Sequence, residues 1–373
     1  MTIRDDLMHH RTRWRGMPEI VNFNHTDICN LRCIMCFESV KPGKTRIKVP
    51  RIREILGQLL PTARKLKLTS AGEPLLFDFD EISEMAREYD VSLSMITNGT
   101  HLTPERYLSM QDILGHLTLS MDSHDRDVFT KIRGKGAFDK IIANLKDLGP
   151  IFQHHLHAVH IHKVLMRSNL ELFPEFIQFA HDLNVDVVKV LRLHFPFDGL
   201  MDREDIFGDF PQETRDKYCL AAIEEAKRLG VNLIMEDLGY PNVSGREAMP
   251  LLPERPDTYI CGWVAQEVYV DPSENVLPCC MNDESLIMGN LAKESFEEIW
   301  NGRKYRRLRR EMFEQKMGGY CANCKLYSVL PDDSAYDLRS HYNPTGGGLL
   351  KAKLRKAVGK AMGKVRPGAA VGS

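Results

Sequence analysis

The sequence predicts an α/β protein, a partial (β/α)6 TIM-like barrel followed by a small cysteine-bearing C-terminal module. Three observations predict it. Between residues 20 and 235, short β-branched or apolar runs alternate with longer amphipathic stretches, the pattern of repeated strand-helix units around a parallel sheet. The chain has 373 residues, more than one average domain, which suits a barrel of about 200–250 residues plus a smaller unit. Residues 239–258 (GYPNVSGREAMPLLPERPDT) are rich in Pro and Gly and lack periodicity, which places a linker there. The organisation expected is an N-terminal extension over 1–19, a barrel over 20–238, the linker over 239–258, a module over 259–331 and a basic tail over 332–373.

Strands are expected at 20–24, 66–69, 93–97, 117–121, 158–166 and 187–193, which makes six units. Helical stretches fall between them, for example 170–183 and 214–229. The latter puts Cys219, Ile223 and Ala226 on one face, so Cys219 reads as core. After the linker come a hairpin, 266–270 with 276–277 around a turn at 271–275, and a basic amphipathic helix over 296–314. Residues 346–373 combine glycines with seven Lys or Arg and no acid, which reads as a solvated tail before a membrane-seeking helix.

Composition excludes little but points one way. Hydrophobic residues are 43%, charged residues 27%, the formal net charge is -1 and the pI about 6.9, so no nucleic-acid partner is implied. No run approaches the roughly 20 apolar residues of a membrane span, and the first residues lack the apolar core of a signal peptide, so a cytoplasmic enzyme is expected. Nine cysteines are present, and seven of them fall into two groups. In a reducing compartment such groups suit metal better than disulfides, because thiolate is a soft ligand for zinc or iron-sulfur clusters.

Directly after the first expected strand comes His25-Thr-Asp-Ile-Cys29-Asn-Leu-Arg-Cys33-Ile-Met-Cys36-Phe37. Three thiols thus share one loop at the carboxyl end of a barrel strand, the face on which such barrels do chemistry. Complete clusters are held by four cysteines, so a three-thiol loop leaves one iron open to a cofactor or substrate. The triplet alone also permits a zinc site with His25 as fourth ligand.

The spacing of Cys29, Cys33 and Cys36 resembles the CxxxCxxC motif of the radical S-adenosylmethionine (SAM) superfamily. Further similar motifs follow in strand order: Ser70-Ala71-Gly72-Glu73-Pro74, Thr97-Asn98-Gly99, and Ser120-Met121-Asp122 with Arg133-Gly134. Each is weak alone, and their order on successive strands carries the resemblance. It implies SAM as cofactor and a 4Fe-4S cluster on the three cysteines. It also implies contacts from Gly72 and Glu73 to the cofactor's amino group, from Ser120 and Arg133 to its ribose and carboxylate, and from Asn98 nearby. A carboxylate suits an ammonium, and glycine permits close backbone approach. Met35 stands where many members carry an aromatic residue; it reads as adenine packing or as plain loop packing, and Phe37 is grouped with the cofactor contacts.

Cys261-Gly-Trp263, Val276-Leu-Pro-Cys279-Cys280, Gly289-Asn290-Leu291, Ile299-Trp300-Asn301 and Cys321-Ala-Asn-Cys324 resemble the SPASM or twitch extension of the same superfamily. That resemblance implies a second, auxiliary 4Fe-4S cluster held by Cys261, Cys279, Cys321 and Cys324. Cys279 is preferred to Cys280 because adjacent side chains at a strand end point oppositely. Read without the barrel motifs, the same spacing is that of a zinc ribbon.

The superfamily's chemistry implies reductive cleavage of SAM to a 5'-deoxyadenosyl radical that takes hydrogen from the substrate, with a reductase, flavodoxin or ferredoxin as electron donor. A fully ligated auxiliary cluster accepts an electron and not a substrate. The leading expectation is therefore dehydrogenation of a small polar molecule, a sugar or aminocyclitol. Cys280 as hydrogen donor would make the chain an epimerase. Peptide modification, which related enzymes perform on ribosomal precursors, ranks lower, because about 20 residues before the first strand leave no room for a leader-binding domain. A non-catalytic zinc scaffold is the reading from a different class.

Five histidines, His154, His155, His157, His160 and His162, crowd the fifth expected strand. Alternation divides them between faces, and without a ligand-spaced partner motif they are expected to be satisfied polar residues. Arg192 and His194, ending the sixth strand, are the substrate-side candidates.

Overall fold

The computed structural model describes residues 3–69, 71–152, 158–185, 187–193, 199–235, 238–243, 260–280 and 284–324. The basic tail, linker residues 244–258, Ser70, His154, His155, His157 and His194 lie outside the described residues. Seven strands follow in chain order, each parallel to the next: β1 (Ile20–Phe23), β2 (Lys65–Leu68), β3 (Ser92–Thr97), β4 (Leu114–Ser120), β5 (Ala158–Val164), β6 (Val187–Leu191) and β7 (Asn232–Ile234). Six were expected. The seventh is three residues long, too short to show a period of its own, and follows the helix Gln212–Leu229. On that helix Cys219, Ile223 and Ala226 are buried together, as the spacing predicted.

The C-terminal module continues the same sheet. β8 (Glu267–Val270) pairs parallel with β1, and β9 (Asn275–Leu277) and β10 (Gly289–Asn290) follow antiparallel, completing the order β10-β9-β8-β1-β2-β3-β4-β5-β6-β7. Two expected helices are split. The stretch 170–183 becomes Arg167–Leu170 and Phe173–Asp182, the second entered through a proline, and 296–314 becomes Phe296–Trp300 and Arg303–Phe313. The second break falls at Gly302, where an added Cβ would sit 3.0 Å from the Glu298 carbonyl oxygen.

Strand alternation separates two faces. Val21, Leu66, Leu93, Leu117, Val159 and Val188 join helix residues such as Ile55, Ile82 and Phe176 in one apolar core. The opposite, inner face is polar: Asn22, Lys67, Ser94 and His116 are successive register partners across β1–β4, and Ser120, His162 and Lys189 across β4–β6. At its lower end Lys67 Nζ lies 2.8 Å from a Glu267 carboxylate oxygen, tying the barrel to the module's first strand.

The N-terminal extension fastens that module. Asp6, fully buried, accepts from the backbone N–H of Arg15 (2.7 Å) and Gly16 (2.9 Å) and from the Arg11 guanidinium (3.3 Å). The turn so formed presents Trp14, whose backbone N–H donates to Asn301 Oδ1 at 2.9 Å while Asn301 Nδ2 donates back to the Trp14 carbonyl at 3.0 Å. Arg309 lies buried among Trp14, Trp300 and Tyr305, 4.0, 4.3 and 5.1 Å from the ring centroids. Replacing Asp6 by Ala strips a charged acceptor from three donors, so unfolding free energy should fall by about 2–3 kcal/mol. A lowered urea midpoint with faster proteolysis before residue 17 checks this, and an unchanged midpoint contradicts it.

Candidate active site

The site begins with the loop that leaves β1. Thr26 bridges to Arg46, and Asp27 exchanges hydrogen bonds with Thr45, its Oδ1 accepting from the Thr45 N–H at 2.7 Å. Gly72, at φ +75°, presses on the loop from the other side: a Cβ there would lie 2.3 Å from the Thr26 carbonyl oxygen. The close approach that this glycine permits is therefore to the cysteine loop itself. The Glu73 N–H donates to the Ile28 carbonyl at 2.9 Å, which completes the docking one residue before Cys29.

Two of the thiols then meet residues from beyond the loop. Cys29 Sγ accepts from the Leu31 N–H at 3.4 Å and from Asn98 Nδ2 at 3.7 Å. Cys33 Sγ lies 3.7 Å from a guanidinium nitrogen of Arg133, and the Cys36 N–H donates to the Cys33 carbonyl at 2.9 Å. Burial pushes the Cys33 thiol up to about 11, opposed by Arg133, and the neighbouring thiols Cys36 and Cys29 add to the rise. Such thiols become ligands when a metal displaces their protons.

Glu73 is 1% exposed, and both its oxygens are engaged by the protein. Oε1 accepts from the Thr97 hydroxyl at 2.6 Å and the Leu75 N–H at 3.2 Å, and Oε2 accepts from the Asn98 N–H at 2.7 Å. Burial raises its pKa to about 7 against these three donors. Asn98 in turn donates to Asn30 Oδ1 at 2.9 Å. The carboxylate thus spans the ends of β2 and β3 and holds the backbone of Asn98, whose side-chain amide meets Cys29.

The fourth strand supplies a second brace. Asp122, fully buried, accepts from Arg133 Nε at 2.7 Å and from the Val164 N–H at 2.8 Å. Burial works against the Arg133 charge, but Asp122 and the thiols of Cys33 and Cys36 outweigh it, so its pKa is raised. Lys163 donates to the Asp122 backbone carbonyl and lies 4.5 Å from the Phe176 ring centroid, on the helix-covered side of β5. Burial lowers the Lys163 pKa to about 7.

In the module, burial pushes Cys261 up to about 11, and Cys321 and Cys324 add to that rise, so these three thiols share one neighbourhood. Cys279, Cys280 and Cys321 pack against Tyr269, Leu277 and Leu286. The adjacent pair has different neighbours: Cys279 raises the pKa of Tyr305, whereas Cys280 is raised by burial and then by Glu267, with Lys67 opposing. Among the described residues no three His, Cys, Asp or Glu side chains converge on a point fit for one ion. The donor chemistry, two groups of soft thiols, is what fits iron-sulfur clusters.

The remaining sequence candidates divide. Ser120 ends β4 on the inner face, beside His162 in register. Met35 packs with Ile132, Met166, Leu193 and Leu200, while Phe37 is 52% exposed. His25 is committed to Phe77, its Nε2 lying 3.0 Å from that carbonyl oxygen, which removes it as a fourth ligand through that atom. Arg192 lies 3.8 Å from Asp205 and over the Phe207 ring. His160 and His162 both occupy the inner face, their rings directed with His116 toward the same interior.

The sequence matches the radical SAM superfamily over residues 23–180 and an iron-sulfur cluster-binding domain, SPASM, over residues 261–325, the second range opening on Cys261 and closing one residue past Cys324. The chain belongs to the radical SAM superfamily and carries a SPASM module. As a radical SAM protein it uses S-adenosylmethionine and 4Fe-4S clusters, which replaces the zinc readings. It is 24% identical over 349 residues to mycofactocin maturase MftC of Mycolicibacterium smegmatis, covering 91% of this chain and 80% of that one. It is 22% identical over 359 residues to the PqqA peptide cyclase of Rhodopseudomonas palustris, covering 92% of each. In fold it resembles Streptococcus suis SuiB bound to S-adenosylmethionine, with TM-score 0.58, 15% identity and coverage of 83% of this chain and 72% of that one. It also resembles anSMEcpe with bound AdoMet, with TM-score 0.57, 15% identity and coverage of 93% and 96%.

From sequence Asp122 was only the last residue of the Ser120-Met121-Asp122 motif, with no role of its own, and Lys163 was not singled out. The available signal was an acid two residues past a strand end, and a lysine in the apolar alternation of β5. Because the folded pKa of Glu73 lies above its unfolded value, protonated Glu73 stabilises the fold fully below about 4.5, and that stability is lost as pH rises through about 7. In the cluster-free protein, the wild type should lose stability relative to Glu73→Gln over that window by at most about 1.4 kcal/mol per pH unit. Urea midpoints measured across the window check the slope, and parallel curves contradict it.

Proposed function

We propose that the chain modifies a peptide by radical chemistry. The observation that carries this reading is that two relatives, each aligned over more than nine-tenths of the chain, are named as a peptide cyclase and a mycofactocin maturase. A solved structure of the same fold holds a precursor peptide. Dehydrogenation of a sugar or aminocyclitol, the leading expectation from sequence, has no comparable support.

Cys29, Cys33 and Cys36 are assigned to the cluster that meets the cofactor, and Cys261, Cys279, Cys321 and Cys324 to the auxiliary one. When bound, the first cluster with S-adenosylmethionine supplies a carbon-centred radical able to take a hydrogen atom from an unactivated C–H bond. The chain's own residues hold and orient. Asn98 and the Leu31 N–H stabilise negative charge at Cys29, Arg133 does so at Cys33, and Asp122 and Lys163 fix Arg133 from behind. Gly72, Glu73, Asn98, Ser120 and Arg133, with Met35 and Phe37 at the rim, are assigned to the cofactor. Arg192 and His194 remain substrate-side assignments. A flavodoxin, ferredoxin or reductase is the assigned electron donor. Among the described residues no helix is long and apolar enough to cross a membrane.

The test is anaerobic turnover of the iron-loaded chain, about eight irons for two cubanes, with strong reductant, S-adenosylmethionine and either peptides or sugars. The expected result is 5'-deoxyadenosine formation stimulated by a peptide that changes mass or gains a crosslink on fragmentation. Stimulation by sugars alone contradicts the reading. Cys280→Ala should keep both clusters and the product; loss of product with iron retained would instead make Cys280 the hydrogen donor.

A further inference from the structure

Near its carboxyl end β5 carries a lysine where folding alone favours an apolar residue. Val159, Ile161 and Lys163 alternate onto the helix-covered side of the sheet, and Lys163 is fully buried there. Its ammonium lies 5.9 and 4.5 Å from the ring centroids of Phe173 and Phe176, on the helix Phe173–Asp182. A charge taken out of water into such surroundings is costly, and an apolar side chain of similar volume is often neutral or stabilising in its place.

The partners of this ammonium lead to the first cysteine loop. Lys163 donates to the backbone carbonyl of Asp122, and Asn169, equally buried, donates from Nδ2 to the same carbonyl at 3.1 Å and to the Val164 carbonyl at 2.9 Å. Asn169 Oδ1 in turn accepts from the Met166 N–H at 2.9 Å. Two side chains of the segment 163–169 thus fix the Asp122 main chain, while the Val164 N–H engages one oxygen of its carboxylate and Arg133 Nε the other. The row continues from Arg133 to Cys33 Sγ at 3.7 Å.

Lys163, Asp122 and Arg133 therefore alternate in sign. Asp122 favours the charged form of both cations, and Arg133 disfavours that of Lys163, so the three groups share one field. One carboxylate offsets one of the two cations, and the second leaves the row positive beside the thiols. An iron-sulfur cluster gains negative charge on reduction, which a buried cation nearby favours.

We propose that Lys163 is a positioning residue of the cluster that meets the cofactor: acting through Asp122 and Arg133, it sets that cluster's reduction potential from the helix-covered side of β5. This rests on the assignment of Cys29, Cys33 and Cys36 to that cluster.

The test is a redox titration of the iron-loaded, full-length chain followed by electron paramagnetic resonance, about one pH unit below the Lys163 pKa of about 7, where the ammonium is charged. Lys163→Met should make the cluster that responds to S-adenosylmethionine about tenfold harder to reduce, a fall of about 59 mV for one electron, and leave the other cluster's potential unchanged. Phe173→Leu, which disturbs the same packing and removes no charge, should leave both potentials in place. Where Lys163→Met fails to load iron, Lys163→Gln, equally uncharged, is read instead. A potential that stays or rises on loss of the Lys163 charge, or an equal fall in both clusters or in Phe173→Leu, overturns the proposal alone. A wild type in which neither cluster responds to S-adenosylmethionine contradicts the cluster assignment itself.

Discussion

The arrangement depends on how one loop is held against three strand ends. A cysteine loop free to move would scatter its thiols, and ordering it costs roughly 1–2 kcal/mol per residue in backbone entropy. Gly72 removes the side chain that would keep the second strand's loop away, and Glu73 uses both oxygens to lock that loop to Thr97 and Asn98. Asn98 then reaches Cys29, and Arg133, braced by Asp122, reaches Cys33. These links connect the loop to β2, β3 and β4. The pre-organisation that lets a cofactor bind without further ordering is thus built from buried, mutually satisfied polar groups.

The same economy appears at the other end of the sheet. β8 adds to β1 in parallel, so the auxiliary module shares the barrel's hydrogen-bond ladder and does not hang from it. The Lys67–Glu267 pair and the Asn22 amide cross that junction inside the barrel, while Trp14, Asn301 and Arg309 close it outside. The loop of Cys29, Cys33 and Cys36 leaves β1 and Cys279 follows β9, so both thiol groups are tied to one hydrogen-bonded sheet. In this light Gly289 and Asn301, read from sequence as parts of a family motif, also have a packing role: Gly289 lies against Ile299, and Asn301 holds Trp14.

Much of this was legible in the residues. The two thiol groups, the order of the motifs on successive strands and the placement of Cys219 in a helix core are local or periodic features, and the chain displays them directly. β7 was not legible because three residues carry no period, and the breaks at Pro174 and Gly302 interrupt patterns that otherwise continue. The reach of Glu73 to Thr97 and Asn98, of Lys163 to Asp122, and of Asp6 to the turn before Trp14 depends on distances that only folding creates. The polar inner face was the least legible of all, since its side chains come one or two at a time from separate strands.

The central claim is that the loop carrying Cys29, Cys33 and Cys36 leaves one iron for S-adenosylmethionine while the module's cluster is closed. Electron paramagnetic resonance of the reduced, fully loaded chain, recorded with and without S-adenosylmethionine, tests it most directly. The account predicts two cluster signals, of which one shifts on adding the molecule and disappears in Cys33→Ala, while the other is unaffected by both. Signals that both ignore S-adenosylmethionine, or that both vanish together in Cys33→Ala with the fold intact, would contradict it.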